Sequence, residues 1–346
     1  MSSEGKRWGK SGARRKSGFC WGVGVVRMRS RPALALAGLL AAGAAALAPA
    51  TGAAATVPRS AAAAATPSAK SATSSSPPAR PQAPAAPLGF GLYQSSNNAQ
   101  YSFPVTPAYA IQYYGWYEPF QTADAQAAWN AGTETFAELQ TCGNPCNAST
   151  SVPITSVING TYDSYLVRFA DAVVAFGHPV LLTFDHEMNG AWYPWGDTTI
   201  TPAQWIAAWQ HVTSVISSIA LNATWIWVPN IEQGAASVAT YWPGQGYPNA
   251  HVNVVGLDGY FQNSGSTWAN TFSQSVTDVM AASGGIYPFV VAETGVPSTD
   301  TNGVSQIDNL VAGARSAGTA ALMYFDSGTK WAFTPAEQSE FVNDVG

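Results

Sequence analysis

Residues 179–187 read Pro-Val-Leu-Leu-Thr-Phe-Asp-His-Glu. The first six form a short, almost unbroken apolar run, the pattern of a strand buried on both faces. The last three carry titratable groups where such a strand would end. Seven further runs of the same kind flank it: Gly89–Tyr93, Tyr109–Gly115, Thr135–Leu139, Thr224–Val228, Val252–Gly256, Pro288–Ala292 and Ala320–Phe325. Helical patterns lie between them. Tyr162, Tyr165, Leu166, Phe169, Val173 and Phe176 fall on one face at 3.6-residue spacing. Thr201-Pro-Ala-Gln204 and Thr334-Pro-Ala-Glu337 each place Thr at an N-cap, Pro at the first helical position and Gln or Glu two residues on. Strands alternating with helices predict a parallel sheet. Eight such units in about 250 residues predict a closed (β/α)8 TIM barrel, an α/β fold forming a single domain over residues 88–346.

Outside that domain the composition changes. Residues 1–87 hold twelve of the fifteen Lys and Arg residues and one acid, Glu4, whereas residues 88–346 hold Arg168, Arg315 and Lys330 against nineteen carboxylates. All the Tyr and nearly all the Phe and Trp fall in the second part. A basic stretch through Arg31, an apolar Ala-rich run over 33–48 and small residues at 51–55 predict a secretory signal peptide over 1–55, with a long basic n-region. Met28, followed by Arg29 and Arg31, would serve as an alternative start, and retention of the apolar run as an anchor is the alternative to cleavage. Residues 56–87 are almost wholly Ala, Pro, Ser and Thr without an aromatic, which predicts a disordered linker. The expected location is therefore extracellular, as a monomer with no stable membrane insertion once the signal is removed. The acidic, cation-poor domain excludes nucleic acid as a natural partner.

Cys142 and Cys146 remain as a pair in the short loop Cys142-Gly-Asn-Pro-Cys146, which in an oxidising compartment predicts a local disulfide. Two thiols without a nearby His make a metal site improbable there, and no cofactor is implied. Phosphate-loop, dinucleotide-binding and Gly-x-Ser-x-Gly patterns are absent from the sequence. The segment His186-Glu187-Met-Asn-Gly190 fails as a zinc-protease motif because Gly190 stands where the second His is needed.

The carboxylates remain. Nineteen acids share three cations, so salt bridging cannot account for most of them. The informative ones follow apolar strands, because in a barrel those positions converge on the mouth. Glu187 follows the fourth strand and Glu293 the seventh, while Glu118, Glu138, Asp258 and Asp326 come near the ends of the second, third, sixth and eighth. Two glutamates held across a barrel mouth beside aromatics are what glycoside hydrolysis needs, one as proton donor and one as nucleophile.

The segments Phe184-Asp-His-Glu-Met-Asn-Gly-Ala-Trp-Tyr-Pro-Trp-Gly196, Ala208-Trp-Gln-His-Val212, Trp225-Ile-Trp-Val-Pro-Asn230, Val255-Gly-Leu-Asp-Gly-Tyr260 and Ala292-Glu-Thr-Gly295 resemble glycoside hydrolase family 26. The resemblance runs from about residue 88 to the end. It implies a retaining endo-β-glycanase, with β-1,4-mannan as first substrate and mixed-linkage β-glucan or xylan as alternatives. Carried over by motif, Glu187 is the acid/base, Glu293 the nucleophile and Tyr260 the residue that orients it. His186, Asn189 and Trp192 line the cleft. One departure is Thr183, where many members have Arg. Trp195, Trp116 and Trp331 stand open between sugar stacking and core, and Glu138 and Glu118 are further cleft candidates. Trp205, Trp209, Trp225 and Trp227 read as packing, and His178, His211 and His251 as structural. A carbohydrate-binding barrel without turnover and a cell-surface barrel on an uncleaved anchor are the competing readings.

Overall fold

The eight apolar runs are the eight strands of a closed parallel barrel in the computed structural model, which describes residues 88–94, 103–244, 251–326 and 330–345. The strands are β1 (Gly89–Gln94), β2 (Tyr109–Tyr114), β3 (Glu134–Leu139), β4 (Val180–Phe184), β5 (Ala223–Trp227), β6 (Val254–Asp258), β7 (Phe289–Thr294) and β8 (Ala321–Asp326). They pair in chain order, and β8 closes on β1 over six residues, from Gly89 with Ala321 to Gln94 with Asp326. The expected signal segment 1–55 and linker 56–87 lie outside the described residues.

Two strands end two residues away from the sequence reading, and the others within one. β6 and β7 run two residues further than expected, so that Asp258 and Glu293 stand within the strands and not after them. The reason is tertiary: Asp258 pairs with Glu293 across a register shift after Leu257, a bulge that extends the two strands together.

The surrounding helices are α1 (Thr122–Ala131), α2 (Ile154–Ile158), α3 (Asp163–Phe176), α4 (Pro202–Ser217), α5 (Trp268–Thr271), α6 (Ser273–Ser283), α7 (Gly303–Ser316) and α8 (Pro335–Val345). α3 buries Tyr165, Leu166, Phe169, Val173 and Phe176 along the predicted face, with Tyr162 just ahead of its first turn. α4 opens with the full capping box, Thr201 Oγ1 accepting from Gln204 N and the Gln204 side chain accepting from Thr201 N. α8 opens the same way, Thr334 N donating to Glu337 at 2.7 Å. Strict alternation does not hold throughout: among the described residues no helix stands between β1 and β2. Among the described residues, β5 and β6 are joined by a single 3-10 turn, Val238–Tyr241, and no α-helix. None of the helices described is long and apolar enough to cross a membrane.

The apolar core has two compartments. Alternate strand residues, including Ile111, Phe136, Leu181, Ile226, Val254, Val290 and Met323, fill the barrel interior. The residues between them point outward and pack with the helices in a larger layer that includes Trp205, Trp209, Trp225 and Trp227. The same two-residue period carries Tyr113 and Glu138 to the interior one step above Ile111 and Phe136. The barrel interior is thus apolar in its middle and polar at the C-terminal mouth.

Candidate active site

β4 delivers the first glutamate through a bent exit. Asp185 and Glu187 adopt φ angles of 44° and 51°, a left-handed conformation that non-glycine residues seldom adopt. Neighbouring strands hold the bend: Asp185 N donates to Leu139 O at the end of β3, and Glu187 N to Val228 O just beyond β5. The Asp185 carboxylate, fully buried, accepts from both the backbone N and the hydroxyl of Thr141 at 2.8 Å. Burial nevertheless pushes its pKa up to about 8. The chain then turns so that the Trp192 ring covers Gly190, where an added Cβ would lie 2.3 Å from the ring. No side chain fits at the position where a metalloprotease would place its second His.

Glu187 is therefore aimed at the cleft with both oxygens engaged. Trp192 Nε1 donates to Oε2 and Asn230 Nδ2 to Oε1, each at 2.5 Å. Asn230 is fixed in turn by Asn189, which accepts from Asn230 N at 2.8 Å and donates to Asn230 O at 2.8 Å and Ala236 O at 2.9 Å. Burial raises the pKa of Glu187, the nearby Glu293 charge raises it further, and His186 and the two donors oppose the rise.

Glu293 projects from β7 into the same cleft. Tyr260 donates to its Oε2 at 2.5 Å, and Tyr113 donates to its Oε1. His186 Nε2 lies 4.0 Å from Oε1 and 3.3 Å from the Tyr193 hydroxyl. Burial pushes the Glu293 pKa up to about 7, aided by Glu138, while His186 and the two phenols favour the charged form. Glu187 and Glu293 share a cleft of about 340 Å3 with Tyr113, Gln140, Cys146, Tyr193, Tyr260, Phe325 and Trp331. A second cavity of about 480 Å3, lined by Glu118, Gln121 and Asn144, meets it at Tyr113.

Among the expected sugar contacts, Trp192, half exposed, and Tyr260 and Trp331, partly exposed, reach the open side. The other four do not. His186, Asn189, Trp195 and Glu138 are buried at 0–1% exposure and stand behind the cleft wall. Trp195 donates from Nε1 to His186 O at 2.7 Å and stacks on Tyr193, so one face and its polar edge are committed to packing in a buried position. Trp116, also open in the sequence, is core. Glu138 lies under His186, Oε2 being 2.8 Å from Nδ1 and off the line of an ideal hydrogen bond. Burial raises the Glu138 pKa strongly, and that of Asp258 likewise. Glu138, His186 and Glu293 bring one donor atom each within 4.8 Å of one another. Glu293 is already held by two phenols, and we read the group as an acid–base network and not as a ligand set.

Sequence reasoning missed Tyr113, Asn230 and Tyr193. Asn230 ends the segment Trp225–Asn230 three residues beyond β5, and that position near the mouth was the available signal. Tyr113 shares the interior period with Glu138. The disulfide between Cys142 and Cys146 is present, with a Cα–Cα distance of 5.1 Å. His178 stacks on Trp129, and His211 lies 2.6 Å from Asp163, structural positions as expected.

An eight-stranded parallel barrel with two buried carboxyl groups and aromatic rings at the C-terminal mouth has the architecture of a glycoside hydrolase. The model of glycosyl hydrolase family 26 matches residues 146–303, so the resemblance read from the sequence is borne out over this segment. A 147-residue stretch is 31% identical to endoglucanase H of Acetivibrio thermocellus, covering 39% of this chain and 16% of that protein. The chain thus spans about a sixth of the length of this curated relative. Among solved structures, the barrel is similar to a Bacillus subtilis mannanase (19% identity, TM-score 0.56, 75% of this chain and 85% of that one). It is also similar to the modular endo-β-1,4-mannanase of Cellulomonas fimi (14%, 0.57, 75% and 70%). A third is the family 26 domain of an endo-β-mannanase/endo-β-glucanase from Prevotella bryantii (14%, 0.57, 74% and 89%). At these identities the structures bear on the fold.

Proposed function

We propose that this chain is a secreted, monomeric, retaining endo-β-glycanase that hydrolyses a β-linked plant polysaccharide, β-1,4-mannan first, by double displacement. The observation that carries the reading is the unequal support of two glutamates in one cleft: Glu293 receives two phenolic O–H donors and faces an imidazole, whereas Glu187 is buried beside it with an indole and an amide. Phenol donors and imidazole favour a charged nucleophile, and the charge on Glu293 favours a protonated Glu187.

In the first step Glu187 gives its proton to the leaving glycosidic oxygen while Glu293 attacks the anomeric carbon, forming a covalent glycosyl-enzyme and releasing the first product. Esterification removes the Glu293 charge, which lowers the pKa of Glu187 and readies it as a base. In the second step Glu187 takes a proton from water, the oxygen attacks the anomeric carbon from the face just vacated, and Glu293 leaves as carboxylate. Two inversions give net retention. Trp192 and Trp331 supply apolar faces for sugar rings.

Mannan is placed first on the names of the similar barrels, and β-glucan second on the name of the endoglucanase relative. The Cys142–Cys146 disulfide supports an oxidising, extracellular location. The test is hydrolysis of a panel of mannan, mixed-linkage glucan and xylan, with proton NMR of the first-formed anomer. Internal cleavage of mannan giving a β-configured product is expected. A first-formed α-anomer would overturn the retaining mechanism, and no turnover on any of the three would favour a binding barrel.

A further inference from the structure

We propose that Glu138 is a positioning residue for Glu293 that acts through His186: it holds the Nδ1 edge of the imidazole from beneath the cleft, so that Nε2 faces the nucleophile. The proposal rests on the functional reading above, because it gives Glu293 that role. Glu138 stands in register with Tyr113 on β2 and Thr183 on β4, in the interior ring of side chains just below the mouth. It is completely buried, so no substrate atom reaches it. A buried carboxyl group needs a partner, and among the described residues no lysine or arginine forms an ion pair with it; the basic group beside it is His186 Nδ1, 2.8 Å from Oε2.

His186 itself is completely buried and flanked on three sides. Tyr113 lies 5.9 Å away, Tyr193 5.0 Å and Trp195 5.9 Å, ring centroid to centroid. These contacts confine the ring but do not choose which nitrogen points where. Glu138 beside Nδ1 makes that choice, since a proton shared between the carboxyl group and Nδ1 ties that edge of the ring down and fixes the other nitrogen's direction. The other nitrogen, Nε2, then sits 3.3 Å from the Tyr193 hydroxyl and 4.0 Å from Glu293 Oε1. Thr183 leaves this arrangement free of a competing charge, its hydroxyl also lacking a hydrogen-bond partner.

The experiment compares Glu138→Gln, whose amide oxygen can accept from Nδ1–H, with Glu138→Leu, which cannot. Glu138→Gln should keep kcat within about threefold, and Glu138→Leu should lose kcat about 10- to 100-fold, as for partners that orient a functional imidazole, with KM within about twofold in both. Nitrogen-15 NMR of the histidine rings should show a protected Nδ1–H for His186 that shifts in Glu138→Gln and disappears in Glu138→Leu. Wild-type kcat in Glu138→Leu would overturn the proposal. So would a raised KM at unchanged kcat, which would make Glu138 a substrate contact. If Glu138→Leu does not fold, the ring spectra of wild type and Glu138→Gln decide, and an unchanged His186 resonance between them overturns the proposal. The spectra are read on resting protein. A wild type inactive on every polysaccharide would thus refute the functional reading while the Glu138–His186 contact was still judged separately.

Discussion

Glu134 and Glu138 occupy the same strand four residues apart, both with the interior period and both buried, yet they live in different chemistry. Glu134 begins β3 at the base of the barrel, in register with Tyr109, and burial alone pushes its pKa up to about 7. Glu138 lies one step from the mouth and meets His186 and, through it, Glu293. The residue type, the strand and the burial are shared; what differs is the set of side chains that loops from other strands fold over them. A base-end carboxyl group in this barrel is a load on stability, and a mouth-end one belongs to a network.

The mouth should break hardest at Glu293. Glu293→Ala is expected to lose kcat on polysaccharide by on the order of 10^4-fold or more, because the covalent intermediate cannot form. Azide should then yield at most a product of inverted configuration, checked by NMR of the anomer. Glu187→Ala should lose about 10^2- to 10^4-fold on the polysaccharide. It should retain far more activity on aryl glycosides with good leaving groups, and azide should accelerate it. Equal losses on both substrate types would remove Glu187 from the acid/base role.

The pH profile sharpens the comparison from the mouth side. With Glu293 raised to about 7 and needed as carboxylate, the acid limb of kcat/KM should lie well above 4.5, near neutrality. An acid limb near pH 4 would show that the phenols and His186 outweigh burial.

The base end should answer in stability alone. A carboxyl group whose folded pKa is raised favours folding fully below its unfolded value of 4.5, and that contribution is lost as pH rises through about 7. Glu134→Gln should therefore match wild type near pH 4 and exceed it near pH 8 by up to about 3 kcal/mol, with kcat unchanged. Melting curves at the two pH values check it; an equal difference at both would mean packing and not ionisation. The smallest effect is expected from Cys142→Ser with Cys146→Ser. Closing a five-residue loop is worth about 2 kcal/mol, and Glu187 and Glu293 are carried by β4 and β7 and not by this loop, so denaturant titration should show the loss with kcat within a few-fold.

The sequence by itself determined the barrel. Apolar runs and amphipathic spacings are local patterns that follow from the two- and 3.6-residue periods, and all eight strands formed within about two residues of their predicted ends. It also placed Glu187 and Glu293 at the mouth, because the C-terminal end of a parallel strand, whether just inside it or just past it, lies at the mouth whatever the rest of the chain does. The tertiary structure decided which side chains meet there. Tyr113 reaches Glu293 across 180 residues of chain, and Asn230 reaches Glu187 across 43. No local period encodes such a contact. It also turned His186, Asn189, Trp195 and Glu138 inward. A motif tells which residues travel together, but which of them face solvent depends on how the bent exit of β4, with its two left-handed residues, packs against β3 and β5.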